Sequence, residues 1–312
     1  LTSGSGTLGG ATTALTDATG RATFTDLVIT GASGARTLTY AVSGVGSANS
    51  VVTLGAGDAA QISVNGGNGQ SATVGNPVAT PPSVVVRDGA GNPVAGVSVT
   101  FPVMSGGGTT SPVSGTAVPT DASGIATLTS WTLGANAGAN TVEATVAAAA
   151  LSGEPVIFSA TATVGTSTQI SAQSALTQTA TVGTAVSAPP SVIVRDASNN
   201  PVPNFAVTFS LTATGGIGGA ISSPATVLTN ASGIGTLASW TVGQSAGTNN
   251  NSVTATGAGL PTITFNASGT AGVAQNIVAN SATSQTATVA TSVTAPSVSV
   301  RDAYNNPVAG VA

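Results

Sequence analysis

Residues 82–101 read PSVVVRDGAGNPVAGVSVTF, and residues 190–209 read PSVIVRDASNNPVPNFAVTF. The pattern opens a third time at Pro296 as PSVSVRDAYNNPVAGVA and runs to Ala312. Each copy has two apolar stretches that alternate at every second residue, separated by a polar turn. Side chains of a β-strand alternate between faces. Val84, Val86, Val192, Val194, Val298 and Val300 are therefore expected inward, and Val85, Ile193 and Ser299 outward. On the second strand Val97, Val99 and Phe101 match Phe205, Val207 and Phe209 as inward positions. The stretch reads as strand, tight turn and strand, the core hairpin of a repeated domain.

The turn carries its own chemistry. Asp88, Asp196 and Asp302 end the first strand, where a carboxylate accepts backbone N–H groups as an Asx-turn. Gly91, Asn199 and Asn305 share a position that suits positive φ. Asn92-Pro93, Asn200-Pro201 and Asn306-Pro307 follow, and proline removes a donor where the second strand begins. The recurring Arg-Asp pair has two readings, an ion or ligand site and a turn-capping acid beside a solvated arginine; the turn cap is the simpler.

Spacing sets the domain organisation. Arg87 to Arg195 is 108 residues, Arg195 to Arg301 is 106, and Trp131 to Trp240 is 109. A period near 107 is one sandwich domain. The expected pieces are residues 1–57 as the back part of a repeat, 58–165 and 166–272 as complete repeats, and 273–312 as a front part. Within 58–165, Ala60–Val64, Pro82–Asp88 and Val97–Val103 read as the first three strands. Asp121-Ala-Ser-Gly124 is a turn signal that returns as Asn230-Ala-Ser-Gly233 and Asp17-Ala-Thr-Gly20. After it come inward Ala126 and Leu128, and then a change of parity to Trp131 and Leu133. That flip predicts a bulge or a bend into the other sheet. Val142, Ala144 and Val146, and then Phe158, Ala160 and Ala162, mark the last two strands. No stretch keeps a 3.6-residue period, so no substantial helix is expected. The fold class is all-β, with two-sheet sandwiches in tandem. The linkers Gly55-Ala56-Gly57, Val164-Gly165-Thr166 and Thr270-Ala271-Gly272 are short, which predicts domains set end to end as a rod, each roughly 30–40 Å long.

Composition narrows the function. Charged residues are 4% of 312, against about 25% in ordinary proteins. Lys and Arg total five, with no His and no Cys. Nucleic-acid binding rests on clustered basic residues and is excluded as a partner class. Zinc, iron–sulfur and thiol chemistry lose their ligands, and no cofactor is expected. The longest apolar run, Val146–Leu151, is too short to span a membrane.

The motifs VxVRDxxxNPVxxxxVTF, TDASGIATLTSWTLG and NTVEATV together resemble those of the bacterial immunoglobulin-like group 1 domains. Such domains form tandem arrays in invasin- and intimin-type surface proteins. The resemblance covers both complete repeats and the partial ones as far as they go. It implies an extracellular rod holding a terminal binding domain away from a bacterial surface. It supplies no binding residues.

Local candidates for chemistry are few. Glu143 and Glu154 are read either as a facing carboxylate pair across a hairpin or as separate surface acids; Thr254 replaces Glu143 in the next repeat. Asp58 is the one acid near a linker, a thin basis for calcium. Trp131 and Trp240 are either sugar platforms or core side chains. Leu27 at the same place favours the core. Asn230, Asn250 and Asn266 fit the N-glycosylation pattern. No residue is assigned a catalytic, cofactor or metal role.

Two functions follow. One is a non-catalytic stalk of a surface adhesin, with any host or surface ligand bound by domains outside this segment. The other is a self-assembling extracellular filament. Ala312 aligns with Ser98 and Leu1 with Ser105. The two partial repeats therefore sum to one repeat short of a few residues. The expectation is a window of a longer array, or copies joined head to tail by strand complementation.

Overall fold

The computed structural model describes residues 1, 6–147 and 150–312. Ala148 and Ala149, inside the apolar run Val146–Leu151, lie outside the described residues. The described chain is all-β, with no helix long and apolar enough to cross a membrane. It divides into two compact units, Leu1–Thr163 and Val164–Ala312.

The first unit opens with β1 (Thr7–Gly9), β2 (Val28–Thr30), β3 (Gly34–Val42) and β4 (Gly46–Leu54). β1 pairs with β2, and β3 with β4. Next come β5 (Ala59–Gly66), β6 (Gln70–Thr73), β7 (Ser83–Asp88), β8 (Ser98–Thr100), β9 (Val103–Ser105) and β10 (Thr109–Ser111). β11 (Ala117–Pro119), β12 (Ile125–Thr127), β13 (Ser130–Thr132), β14 (Gly138–Val146) and β15 (Val156–Thr163) complete it. One sheet has the order β12-β7-β5. The other runs β11-β8-β14-β15-β6, with β9 also on β14. β10 and β13 form a small third ladder.

These sheets close an immunoglobulin-like sandwich over one apolar core. Ile62, Val84, Val86 and Ala126 come from the first sheet, and Val99, Val142, Ala144 and Phe158 from the second. Trp131 and Leu133 fill the space beside the third ladder. The rings of Phe101 and Phe158 lie 6.4 Å apart and tilted, an arrangement that favours their edge–face electrostatics.

The two strands flanking the acid turn do not pair as a hairpin. β7 lies in one sheet and β8 in the other. The chain holds hairpin pairing only briefly, through Val94 N–H to Val86 O. Pro93 offers no donor, and Gly96 at φ +77° turns the chain across the core. Alternation thus reported the buried face correctly, but not the hydrogen-bonding partner. The parity change after Leu128 is a switch of sheets: β12 pairs with β7, whereas β13 pairs with β10.

The second unit repeats this plan with β16 (Ser167–Ala172), β17 (Thr177–Thr181), β18 (Ser191–Asp196), β19 (Ala206–Thr214), β20 (Ala220–Ile221) and β21 (Thr226–Leu228). β22 (Ile234–Thr236), β23 (Trp240–Thr241), β24 (Gly247–Gly257) and β25 (Ile263–Thr270) follow. The sheets are β16-β18-β22 and β17-β25-β24-β19-β21. Val192, Val194, Val207, Phe209, Leu237, Trp240, Val253 and Phe265 form its core. Here β19 is continuous where β8 and β9 are broken, because Ser210 stands where the first unit has Pro102. β26 (Asn276–Ala279) and β27 (Val298–Arg301) pair as a separate ladder.

Two inward–outward expectations are corrected. Val85 is 9% exposed rather than open, because Ser63 and Ile125 flank it on neighbouring strands. Val298 is 57% exposed, because its two-stranded sheet has no opposing layer.

Candidate functional site: a recurring aspartate–asparagine turn

The acid that ends β7 and β18 recurs at the end of β27, and all three copies have one geometry. Asp88 Oδ1 accepts the N–H groups of Ala90 and Asn92, at 2.9 and 2.8 Å. Its Oδ2 accepts Gly57 N–H and Asn92 Nδ2, both at 2.8 Å. Asp196 takes Ser198 and Asn200 N–H on Oδ1 and Gly165 N–H on Oδ2. Asp302 takes Tyr304 and Asn306 N–H on Oδ1 and Gly272 N–H on Oδ2. Gly91, Asn199 and Asn305 sit at φ +84°, +68° and +69°, the left-handed position expected of them. The arginines Arg87, Arg195 and Arg301 each donate Nη1 to the carbonyl of that same residue, at 2.8 Å.

This arrangement is an Asx-turn with a long reach. Its acid binds the N–H of a glycine about 30 residues upstream. Each carboxylate oxygen of Asp88 receives two N–H donors, so its lone pairs are filled from within the protein. The turn-cap reading of the Arg-Asp pair therefore accounts for these atoms. The Asn92 side chain, followed by these backbone donors, holds the Asp88 carboxyl down at about 2. For Asp196 and Asp302 burial pushes the other way, and the donors outweigh it, leaving both lowered.

The asparagine reaches further. Asn92 Oδ1 accepts Ser33 N–H at 2.8 Å. Asn306 Oδ1 accepts Ala246 N–H at 2.7 Å, and its Nδ2 donates to Gln244 O at 2.8 Å. Ser33 and Ala246 occupy one structural place: each precedes the glycine, Gly34 or Gly247, that opens β3 or β24.

The other candidates fall apart as sites. Both carboxylate oxygens of Glu154 are spent on backbone, Oε1 on Val146 N–H and Oε2 on Leu151 N–H. Glu143 pairs in register with Ile157 on β15. Trp131 and Trp240 are fully buried, and their indole N–H groups find no acceptor among the described residues. They are core, not platforms. Asp58 is exposed, and among the described residues no three His, Cys, Asp or Glu side chains gather as a metal site. Asn230 caps its turn through Ser232 and Ile234 N–H. Asn250 holds Ser245 O and Gly269 N–H, while Asn266 lies half-buried on β25.

Some recurrent polar positions escaped the sequence reading. Gln70 grips Thr80 through both amide atoms, and Gln178 grips Ala188 in the same way. Asn140 and Asn251 are wholly buried and bind Gly134 and Gly243 N–H. Their signal was present as repeated residues at fixed offsets, QSATV and QTATV among them.

No protein-family model and no curated protein matches the chain. Among solved structures it is similar to the Escherichia coli adhesin FdeC, at 20% identity and TM-score 0.49, over 82% of this chain and 79% of that one. It is also similar to invasin, a bacterial integrin-binding protein, at 18% identity and TM-score 0.36, over 81% and 48%. The Yersinia pseudotuberculosis adhesin InvE matches at 20% identity and TM-score 0.32, over 67% and 58%. These are likenesses of tandem immunoglobulin-like folds, and the fold described above rests on its own strand register.

Proposed function

We propose that this chain is a non-catalytic stalk segment of a bacterial adhesin-type surface protein. In this reading residues 58–165 and 166–272 are complete repeats, 1–57 and 273–312 are parts of repeats, and successive repeats stand end to end. The protein works outside the cell or on its surface. Ligands are bound by domains beyond this segment, and the partners of the segment itself are further repeats. The observation that carries the reading is the threefold recurrence of one turn that fastens each sandwich to the glycine before it, Gly57, Gly165 or Gly272. A device repeated at the head of each repeat serves spacing rather than a single reaction. Trp131, Phe158, Trp240 and Phe265 fill the interiors of the two complete repeats.

The test is made on the bacterial surface. Deleting residues 58–272 should reduce the reach of the surface protein and the attachment it supports, and unrelated immunoglobulin-like repeats of equal length should restore both. Failure of equal-length repeats to restore attachment would show that this segment binds something itself.

A second reading, a self-assembling filament, is supported by two apolar surfaces. An open cleft of about 590 Å³ is lined by Leu8, Phe24, Leu27, Leu38 and Tyr40. On the β26–β27 ladder Ile277 and Val298 are exposed. By sequence register these are the two halves of one sandwich core, and head-to-tail joining of copies would bring them together. Sedimentation would reveal concentration-dependent chains of copies; a strict monomer at high concentration would contradict this reading.

A further inference from the structure

We propose that the Asp–Asn turn is an inter-repeat latch: its carboxylate clamps the linker glycine while its asparagine holds the preceding repeat, fixing the orientation between them. This deepens the stalk reading and rests on its repeat boundaries. The latch is seen whole in both units. In the first, Asp88 binds Gly57 N–H, and Asn92 bridges the carboxylate to Ser33 N–H. In the second, Asp302 binds Gly272 N–H, and Asn306 bridges it to Ala246 N–H and Gln244 O.

Three features separate a latch from a simple turn cap. First, the turn Asp121-Ala-Ser-Gly124 shows what capping alone requires: Asp121 Oδ1 takes Ser123 and Ile125 N–H, both within its own turn. Asp88 and Asp302 keep that local pair and add the linker glycine through the other oxygen. Second, the asparagines are buried despite standing in exposed turns, at 7% and 8% exposure. A buried amide is stable only with its polar atoms satisfied, and here the partners belong to both sides of the junction. Third, the second unit adds an aromatic contact. The Tyr304 hydroxyl lies so near Gly183 that a Cβ there would meet it at 2.8 Å. A short linker alone leaves two domains free to swing, whereas hydrogen bonds on both sides of it remove that freedom.

The chain has no cysteine, so label pairs are introduced cleanly. Spin labels at Ser43→Cys and Thr116→Cys, both exposed, place one probe on each side of the first junction in the full 312-residue chain. The parent should give a narrow distance distribution. Asn92→Ala should broaden it about twofold, as inter-domain motion returns. Ser33→Pro removes the donor from the other side of the junction and should broaden it likewise. Asp121→Ala, which breaks a cap of the same kind whose carboxylate bonds stay within its own turn, should lower stability and leave the width alone. An unchanged width in folded Asn92→Ala and Ser33→Pro, or a broad parent distribution, would overturn the latch. The stalk reading fails on another readout, the equal-length replacement at the cell surface, so the two failures are distinguishable.

Discussion

Phe158→Ala should cripple the first sandwich and leave the second untouched. Phe158 is fully buried between two sheets, and its ring lies 6.4 Å from that of Phe101 in a tilted contact. Its strand, β15, is fixed on both sides, by β14 and by β6. The surroundings therefore cannot collapse into the space. Truncations of this kind cost about 3–5 kcal/mol, and the rigid flanks place this one near 4. With a urea slope of roughly 1.5–2 kcal/mol/M for a domain of this size, the midpoint should fall by about 2 M. Trp131 and Trp240 are the only tryptophans, and one lies in each core. In a Trp240→Phe background fluorescence reports the first core alone; in a Trp131→Phe background it reports the second. The first midpoint should move and the second should stay within about 0.5 kcal/mol, as distant sites do. A loss below about 1 kcal/mol would refute the placement of Phe158 in a packed core. Midpoints moving together would refute two separate cores.

Other perturbations follow from the same geometry. Asp88 has its carboxyl lowered from 3.8 to about 2 in the fold, so its contribution is complete above the unfolded value and is lost as pH falls toward 2. Urea midpoints measured between pH 5 and 2 should therefore fall less steeply for Asp88→Asn than for the parent, with Asp196 and Asp302 keeping part of the slope. Gly124→Ala and Gly20→Ala separate strain from clash. Both positions lie near φ +75°, but a Cβ at Gly124 meets Val86 O at 2.6 Å while one at Gly20 meets nothing. Thermal melts should show a loss of about 1–2 kcal/mol from strain alone at Gly20, and a larger loss at Gly124. Glu154→Ala should cost about 1–2 kcal/mol in chemical denaturation by stranding two backbone N–H groups, whereas Glu143→Ala should be near neutral.

How much of this was legible follows from what alternation encodes. Where one face of a strand is buried, a period of two is imposed on the sequence, so Val84, Val86, Val99 and Phe101 were identified as core. Alternation carries no information about which strand lies alongside, so β7 and β8 were read as a hairpin although they face each other from different sheets. β6 and β17 were missed altogether. They are short, polar edge strands that pair in parallel with β15 and β25, and a sheet edge needs few apolar residues. The site divides in the same way. Three copies of Asp-x-x-x-Asn made the cap readable, because capping is local. Its grip on Gly57 and Ser33 spans 31 and 59 residues, and no local pattern reports such contacts. Arg36 shows the same gap: it is buried at the place where Asn140 stands in the next repeat, with its guanidinium on the carbonyls of Ala32 and Ala35.

The central claim is that separately closing sandwiches recur along the chain. Stretching single molecules by their ends tests it most directly. The account predicts two discrete unfolding events, one per complete repeat of about 107 residues, each releasing roughly 300–350 Å of chain. A single event releasing the whole length, or a smooth extension without steps, would contradict it.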